Sequence, residues 1–345
     1  PLSRKKSPKQ FEKIVGDHST LPLAVSRIQP DFAPGDIFVA TGEAHMGTVR
    51  KQLPDVPADH IIGEPDMRDV GPAVGLMTGI LAREYPREPM IILWSDHLVK
   101  NEALFRKILA AAGARIKKDP DKIIFVSQKP RFASVNLGWI GYGDVVGKQD
   151  GISFHAFADF QYKPDAKTAK KYFASGRHAW NVGYFVTTPA FLWSQYKKFA
   201  PNIYTGLATI AKAWKTKEFA PLMEKIYPTL EKIHFDNAIL EKLDPASALV
   251  VSEDIRWSDI GAWEALKEAL EDAKKHNVTQ GKVLLTSTSD SLVYNYTDQL
   301  VATIDLNDML VVNTGDVVLV CKKSAVGKIK KLVESLTGTE HDHLT

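Results

Sequence analysis

Along the first two-thirds of the chain, short apolar runs alternate with longer amphipathic stretches. Residues 36–41 (DIFVAT) read as a strand and the stretch after His45 as a helix. Residues 60–63 form a short strand, and 72–85 a helix with a proline near its first turn, where a missing N–H goes unnoticed. Residues 90–94 (MIILW) are apolar without interruption, the pattern of a strand buried on both faces. A helix over 102–117 follows, then a second buried strand over 122–127 (KIIFVS). This alternation predicts an α/β fold, a Rossmann-like and mostly parallel sheet with helices on both faces. Ligands of such a sheet belong in the crevice beyond the carboxyl ends of its strands.

From 189 to 243 the pattern is largely helical, with Pro201, Pro221 and Pro228 dividing it into short helices. A last helix is expected over 260–276. After Asn277 the texture changes to short runs of Val, Leu and Thr separated by Asp and Asn, at 282–286, 300–304, 309–313 and 317–321. Spacing of this kind predicts a small all-β unit, closed by an amphipathic helix over 324–336. The expected division is therefore a first domain over 1–277 and a second over 278–345.

Composition narrows the class. The 345 residues carry 44 basic and 41 acidic side chains, a net charge of +3, which argues against a dedicated nucleic-acid surface. No apolar run approaches the ~20 residues of a membrane span, and no signal peptide follows the basic amino terminus. The single cysteine, Cys321, excludes an internal disulfide and suits a reducing compartment. A cytoplasmic protein that needs neither membrane nor nucleic acid is expected.

Four segments could carry chemistry. In Pro1-Leu2-Ser3-Arg4 and Pro8-Lys9-Gln10-Phe11, a lysine just after a proline can aim a compact charge at phosphates. Arg4, Lys5, Lys6 and Lys9 read equally as a solvated basic terminus. Asp96, in Trp94-Ser95-Asp96-His97, follows a buried strand and could hold magnesium, or could cap the next helix. Asp259, in Trp257-Ser258-Asp259-Ile260-Gly261, opens the same choice. Two carboxylates together with substrate phosphates are a usual magnesium donor set. In Trp180-Asn181-Val182-Gly183, an amide and a glycine at a strand start could meet a sugar, or could be a plain turn.

Taken together and in order, these segments resemble the sugar-nucleotide pyrophosphorylases, mannose-1-phosphate guanylyltransferases among them. The family's PLSR and PKQF stand at Pro1–Arg4 and Pro8–Phe11, its EP-RNTAPA at Glu64–Ala73, its PADH at Trp94–His97 and its GYG at Gly141–Gly143. Its EKP is Tyr162-Lys163-Pro164, its WNSGMF Trp180–Phe185, its IDYAILEK Phe235–Lys242 and its WSDVGSW Trp257–Trp263. The resemblance implies transfer of a nucleotide from GTP to mannose 1-phosphate with release of pyrophosphate. It further implies that Lys9 and Arg4 meet the triphosphate, that Asp96 and Asp259 hold Mg2+, and that Lys163 contacts the sugar phosphate. Asn181 and Gly183 would line the sugar pocket, with Glu64, Gly141 and Tyr162 also at the substrates. A short left-handed β-helix is implied for the second domain, and a homodimer is compatible with the family.

Asp69-Val70-Gly71 replaces Asn-Thr-Ala, Tyr162 replaces a sugar-binding glutamate, and Val182 replaces a serine. These departures leave two alternatives open, a degenerate homologue with a binding or regulatory role and an enzyme for another hexose 1-phosphate. The family's Gly-rich loop is not part of the chain as given, so low activity and an unpaired sheet edge are expected of it.

Overall fold

A computed structural model describes residues 11, 18–29, 31–259, 267 and 276–344. The basic segment with Arg4 and Lys9, and the expected helix at 260–276 apart from Lys267 and His276, lie outside the described residues. The chain divides into two compact units. One comprises 26–94 and 101–255; the other includes 95–100 and the described residues from 256 onward.

In chain order the described elements begin with α1 (Thr20–Ser26), β1 (Val39–Gly42), α2 (Met46–Gln52), β2 (Ile61–Glu64) and α3 (Val70–Glu84). There follow β3 (Met90–Ile92), β4 (Leu98–Val99), α4 (Glu102–Lys118), β5 (Ile123–Gln128), β6 (Gly138–Gln149) and β7 (Ile152–Gln161). Then come α5 (Ala166–Ser175), β8 (His178–Thr187), α6 (Pro189–Phe199), α7 (Pro201–Lys212), α8 (Phe219–Ile226), α9 (Phe235–Ala238) and β9 (Ala248–Glu253).

The larger unit is built on a six-stranded sheet in the order β3-β8-β5-β9-β7-β6, with β1 and β2 forming a separate parallel pair. The α/β class expected from periodicity stands, but the strand directions differ from a mostly parallel sheet. Only β5–β9 is a parallel pairing; β3–β8, β5–β8, β7–β9, β6–β7 and β6–β8 are antiparallel. The helical crossover from β3 to β5 was legible as strand–helix–strand. The gap it leaves between them is filled by β8, which arrives much later in sequence and runs the other way. Position also corrects the burial expected at 90–94. Strand β3 stops at Ile92 and is a sheet edge, so Ile91 and Ile92 are only partly buried. Strand β5, inside the sheet, is buried along its whole length.

Helices α3, α6 and α7 cover one region of this core, with Leu76, Ile80, Leu192, Tyr196, Leu207 and Ile210 packed together and almost wholly inaccessible. Gly71, Gly75 and Gly79 recur every fourth residue and so share one stripe of α3. That stripe lets the neighbours come close. The Gly71 N–H donates to the Ile233 carbonyl at 2.9 Å, and its own carbonyl accepts from the Tyr196 hydroxyl at 2.6 Å. At Gly75 a methyl group would stand 2.6 Å from Leu207 Cδ1 and 2.8 Å from Tyr196 Cε1.

In the other unit, β10 (Trp257–Ser258) pairs with β4, and β11 (Val278–Gln280), β12 (Val283–Thr286), β13 (Leu292–Asn295), β14 (Val301–Ile304), β15 (Met309–Asn313) and β16 (Val318–Lys322) follow. Strand β12 pairs with β14 and β13 with β15, all parallel. Asn295 and Asn313 stand 18 residues apart and are stacked, the Asn313 amide donating to Asn295 Oδ1 at 3.0 Å. Ser289 and Asn307 repeat the same offset. The β12–β14 and β13–β15 pairings share one offset and β11–β13 has a shorter one; parallel partners stepping along the chain in this way are what a coil produces, and this is the expected β-helix-like unit. Antiparallel β16 and then α10 (Ile329–Leu336) end it. Lys267, only 3% exposed, reaches Asp290 at 2.7 Å, and Lys323 reaches the same carboxylate at 2.7 Å. Burial alone would push that carboxyl up, but the two ammonium groups outweigh it and hold it below the usual range.

The glycine stripe makes a paired prediction. Gly75→Ala must displace Leu207 and a Tyr196 ring anchored by its own hydrogen bond, and should cost about 1–3 kcal/mol. Gly113→Ala, in α4, meets nothing closer than Pro89 Cβ at 3.9 Å. It should instead stabilise by about 0.4–1 kcal/mol through the lost flexibility of the unfolded chain. Urea unfolding of both variants checks the pair, and equal shifts would show that α3 does not need its glycines for packing.

Candidate active site

Strand β8 carries the first group of candidate residues, and it does so through an irregularity. Along its ladder with β5, Val126 pairs with Tyr184 and the next partner of β5, Gln128, pairs with Trp180. Ser127 alone thus faces the stretch Asn181, Val182 and Gly183, a bulge of the kind that re-aims side chains. The expectation that Asn181 and Gly183 begin the strand is corrected here, since both lie inside it. Asn181 Oδ1 accepts the Gly183 N–H at 3.0 Å, closing the bulge on itself. Gly183 has φ +73, and a Cβ there would lie 1.9 Å from the Trp94 indole nitrogen. No other residue type meets both demands.

The outward side of the bulge reaches α9 and the turn before it. Asn181 Nδ2 donates to Asp236 Oδ1 at 3.1 Å. Burial pushes the Asp236 carboxyl up, with its own backbone, His234 and Asn181 pulling against it. Two residues earlier, His234 Nδ1 stands 3.2 Å from Asp69 Oδ1. The same oxygen accepts the Val70 N–H at 2.7 Å, so Asp69 caps α3 from a backbone φ of 68. The Tyr162 ring lies 6.2 Å from His234, and the Lys163 ammonium stands 4.8 Å from the Tyr162 ring centre. Tyr162, Lys163 and Asn181 are therefore linked through the 234–236 segment. Gly141 is not part of this group. It backs onto the Asp159 carboxylate, leaving no room for a Cβ, and it is Gly138 that pairs with Asn181.

Glu64 closes β2 and accepts a hydrogen bond from the Tyr227 hydroxyl. Burial pushes its carboxyl up and the Tyr227 bond pulls it partly back. The phenol is itself pushed up by burial and by the Glu64 charge.

The second group lies in the other unit. Strands β4 and β10 pair antiparallel, Trp257 with Val99 and Ser258 with Leu98. Asp259 is the next residue at one end of that ladder, and Asp96 lies in the turn two residues before Leu98 at the same end. Asp96 is no helix cap, because the cap of α4 is Asn101, whose side chain accepts from Leu104 N–H at 3.3 Å. His97 packs edge-on against Trp257 with centroids 5.0 Å apart and lies 3.8 Å from Asp96 Oδ1. Among the described residues no group of three or more His, Cys, Asp and Glu side chains could hold a metal ion. A pair of carboxylates suits magnesium, which keeps water and phosphate oxygens in its shell.

Sequence reasoning missed four participants. Asp236 and Trp94 lay in quoted motifs without a role, while Tyr227 and His234 gave no signal because their partners are distant in sequence. Arg4 and Lys9 lie outside the described residues.

Comparison with known proteins shows the family of the chain. The nucleotidyl transferase family profile matches residues 1–276, and a mannose-phosphate isomerase/GMP-like β-helix domain matches 281–336. A mannose-1-phosphate guanylyltransferase, ManC, of Salmonella typhimurium is 32% identical over 99% of this chain and 72% of its own length. Its counterpart from Escherichia coli K12 is 31% identical, with coverage of 99% and 72%. A solved structure from Thermus thermophilus, described as a mannose-1-phosphate geranyltransferase, superposes with a TM-score of 0.84. That match covers 98% of this chain and 95% of the other at 24% identity, and it speaks for the fold. Among the described residues no helix is long and apolar enough to cross a membrane.

The buried carboxyls give the fold a pH signature. A carboxyl held above its ordinary value keeps its proton to higher pH in the native state than in the unfolded chain. Its contribution is therefore best below the unfolded value, about 4.3 for Glu and about 3.9 for Asp, and declines as pH rises through the native one. Glu64→Gln and Asp236→Asn should each flatten the fall in stability above about pH 4. Urea midpoints at intervals from pH 4 to 8 read this, and variant curves parallel to that of the native protein would contradict it.

Proposed function

Because this chain belongs to the nucleotidyl transferase family, with a mannose-phosphate isomerase/GMP-like β-helix domain behind the transferase region, we propose that it forms GDP-mannose and pyrophosphate from GTP and mannose 1-phosphate. The names carried by its relatives support that choice of base and sugar. The sugar 1-phosphate oxygen attacks the α-phosphorus of GTP in line and pyrophosphate leaves. Such transfers ask little covalent chemistry of the protein and depend on positioning and neutralised charge.

Asp96 and Asp259 are the residues we assign to the metal, with magnesium as the ion. Bound there, it would supply positive charge to neutralise the phosphates. The observation that supports this most is the β4–β10 ladder, at one end of which both carboxylates stand. Lys163 is assigned to the sugar phosphate, Asn181 and Gly183 to the sugar, and Arg4 and Lys9 to the triphosphate. Glu64, with Tyr227 on one oxygen, keeps the other for N–H donors of the base. The proposal takes 1–277 as the transferase domain and 278–345 as the β-helix-like domain. It takes the cytoplasm as the site of action and is compatible with a homodimer.

Asp96→Ala and Asp259→Ala should each lower magnesium-dependent pyrophosphate release by about a hundredfold or more, the scale on which one lost charge-stabilising group acts. Circular dichroism should show the fold intact. Should either variant keep the magnesium dependence of the native protein, the shared metal site is wrong.

A further inference from the structure

The contact between Asp69 and His234 does more than cap a helix. Asp69 Oδ1 already takes the Val70 N–H at 2.7 Å, yet the same oxygen stands 3.2 Å from His234 Nδ1. A carboxylate at that nitrogen selects the neutral tautomer with the proton on Nδ1 and leaves a lone pair on Nε2. Half of the His234 side chain remains exposed, and Tyr162 beside it is 39% exposed. Two residues along, Asp236 is engaged by Asn181, and the Lys163 ammonium lies beside the Tyr162 ring. An oriented acceptor, an aromatic ring and an ammonium group therefore stand next to one another, His234 beside Tyr162 and Lys163 over the Tyr162 ring. That combination matches a phosphorylated sugar: hydroxyls for the acceptor, an apolar C–H edge for the ring, phosphate for the cation.

We propose that His234, oriented by Asp69, accepts a hydrogen bond from one hydroxyl of the hexose 1-phosphate, with Tyr162 as the aromatic wall beside it. The inference rests on the reaction proposed above for its substrate class and adds a residue that sets specificity. Tyr162 offers a phenol, a weak acceptor for sugar hydroxyls; the imidazole backed by a carboxylate is a strong one. An exposed Asp–His pair with no ligand to read would contribute only about 0–1 kcal/mol and would leave sugar binding untouched.

The test is calorimetric titration of the full chain with magnesium and a GTP analogue whose α–β bridge cannot be cleaved. The parent ligand is whichever of mannose, glucose or galactose 1-phosphate the native protein binds most tightly, and its monodeoxy analogues complete the series. His234→Ala should weaken the parent about tenfold, roughly one good hydrogen bond to a polarised group. It should leave unchanged the affinity for the one analogue that lacks the hydroxyl read. His234→Gln, whose amide oxygen can accept, should recover part of the loss, and Asp69→Asn should fall between. In the free protein, nitrogen-15 shifts should show the His234 proton on Nδ1. If His234→Ala leaves the parent unaffected, or weakens every analogue by the same factor, the inference fails while the transferase reading stands. If the native protein binds no hexose 1-phosphate, the transferase reading falls and takes the inference with it.

Discussion

The ladder between β5 and β8 constrains the larger unit more than any other contact. Every N–H and C=O of a strand buried in a sheet needs a partner, and β8 answers to β5 on one side, with β3 and then β6 on the other. Trp180, Tyr184, Phe185 and Val186 lie within it, all at most 1% exposed. The strand therefore cannot slide, because a one-residue slip would turn each of these to the wrong face. The only freedom left is local, and it is taken at Asn181–Gly183, where the extra residues bulge out. Pairing resumes at Trp180 with Gln128, which itself is held by Asp254 at 2.8 Å. A rigid ladder with one permitted defect delivers a precise pair of side chains at a fixed point.

The rest of the candidate sugar site follows from that defect. Asn181 reaches Asp236, and the same short segment carries His234 to Asp69 at the start of α3. Helix α3 in turn is set by its glycine stripe, since Gly71 bonds directly to the Ile233 backbone next to His234. Close packing of helix backbones and the position of an imidazole are thus one problem. Burial supplies the remaining ingredient: it raises the Glu64 and Asp236 carboxyls, against which Tyr227 acts on the first, and the Asp236 backbone, His234 and Asn181 on the second. Perturbed carboxyls of this kind gather at functional sites, though packing alone can also create them.

The smaller unit uses a different principle. The β12–β14 and β13–β15 pairings share one step, so Leu292 falls on Leu310 and Asn295 meets Asn313. Asn313 donates to Asn295, whose own Nδ2 donates to the Lys282 and Gln299 carbonyls. At its edge the buried Lys267 shares Asp290 with Lys323, an arrangement costly to break from either side. The β4–β10 ladder brings Asp96 and Asp259, from distant parts of the sequence, to one end of a two-residue pairing.

Much of this was legible in the sequence for a physical reason: local pattern decides local structure. The periodicity at 72–85, 102–117 and 122–127 placed α3, α4 and β5 within a residue or two, because amphipathic and buried segments advertise their own environment. The motifs around Glu64, Asp96, Tyr162, Asn181 and Asp259 named a family and a chemistry because spacing along the chain survives folding. Tertiary structure alone decided what depends on neighbours remote in sequence. It set β8 antiparallel between β3 and β5, left Ile91 and Ile92 only partly buried, moved Asn181 and Gly183 from a strand start into a bulge, and gave the α4 cap to Asn101 instead of Asp96. It also joined His234 to Asp69 and Tyr227 to Glu64, each across more than a hundred residues. No pattern along the chain encodes such pairs, since each partner taken alone is an ordinary polar residue and only their proximity gives them a role.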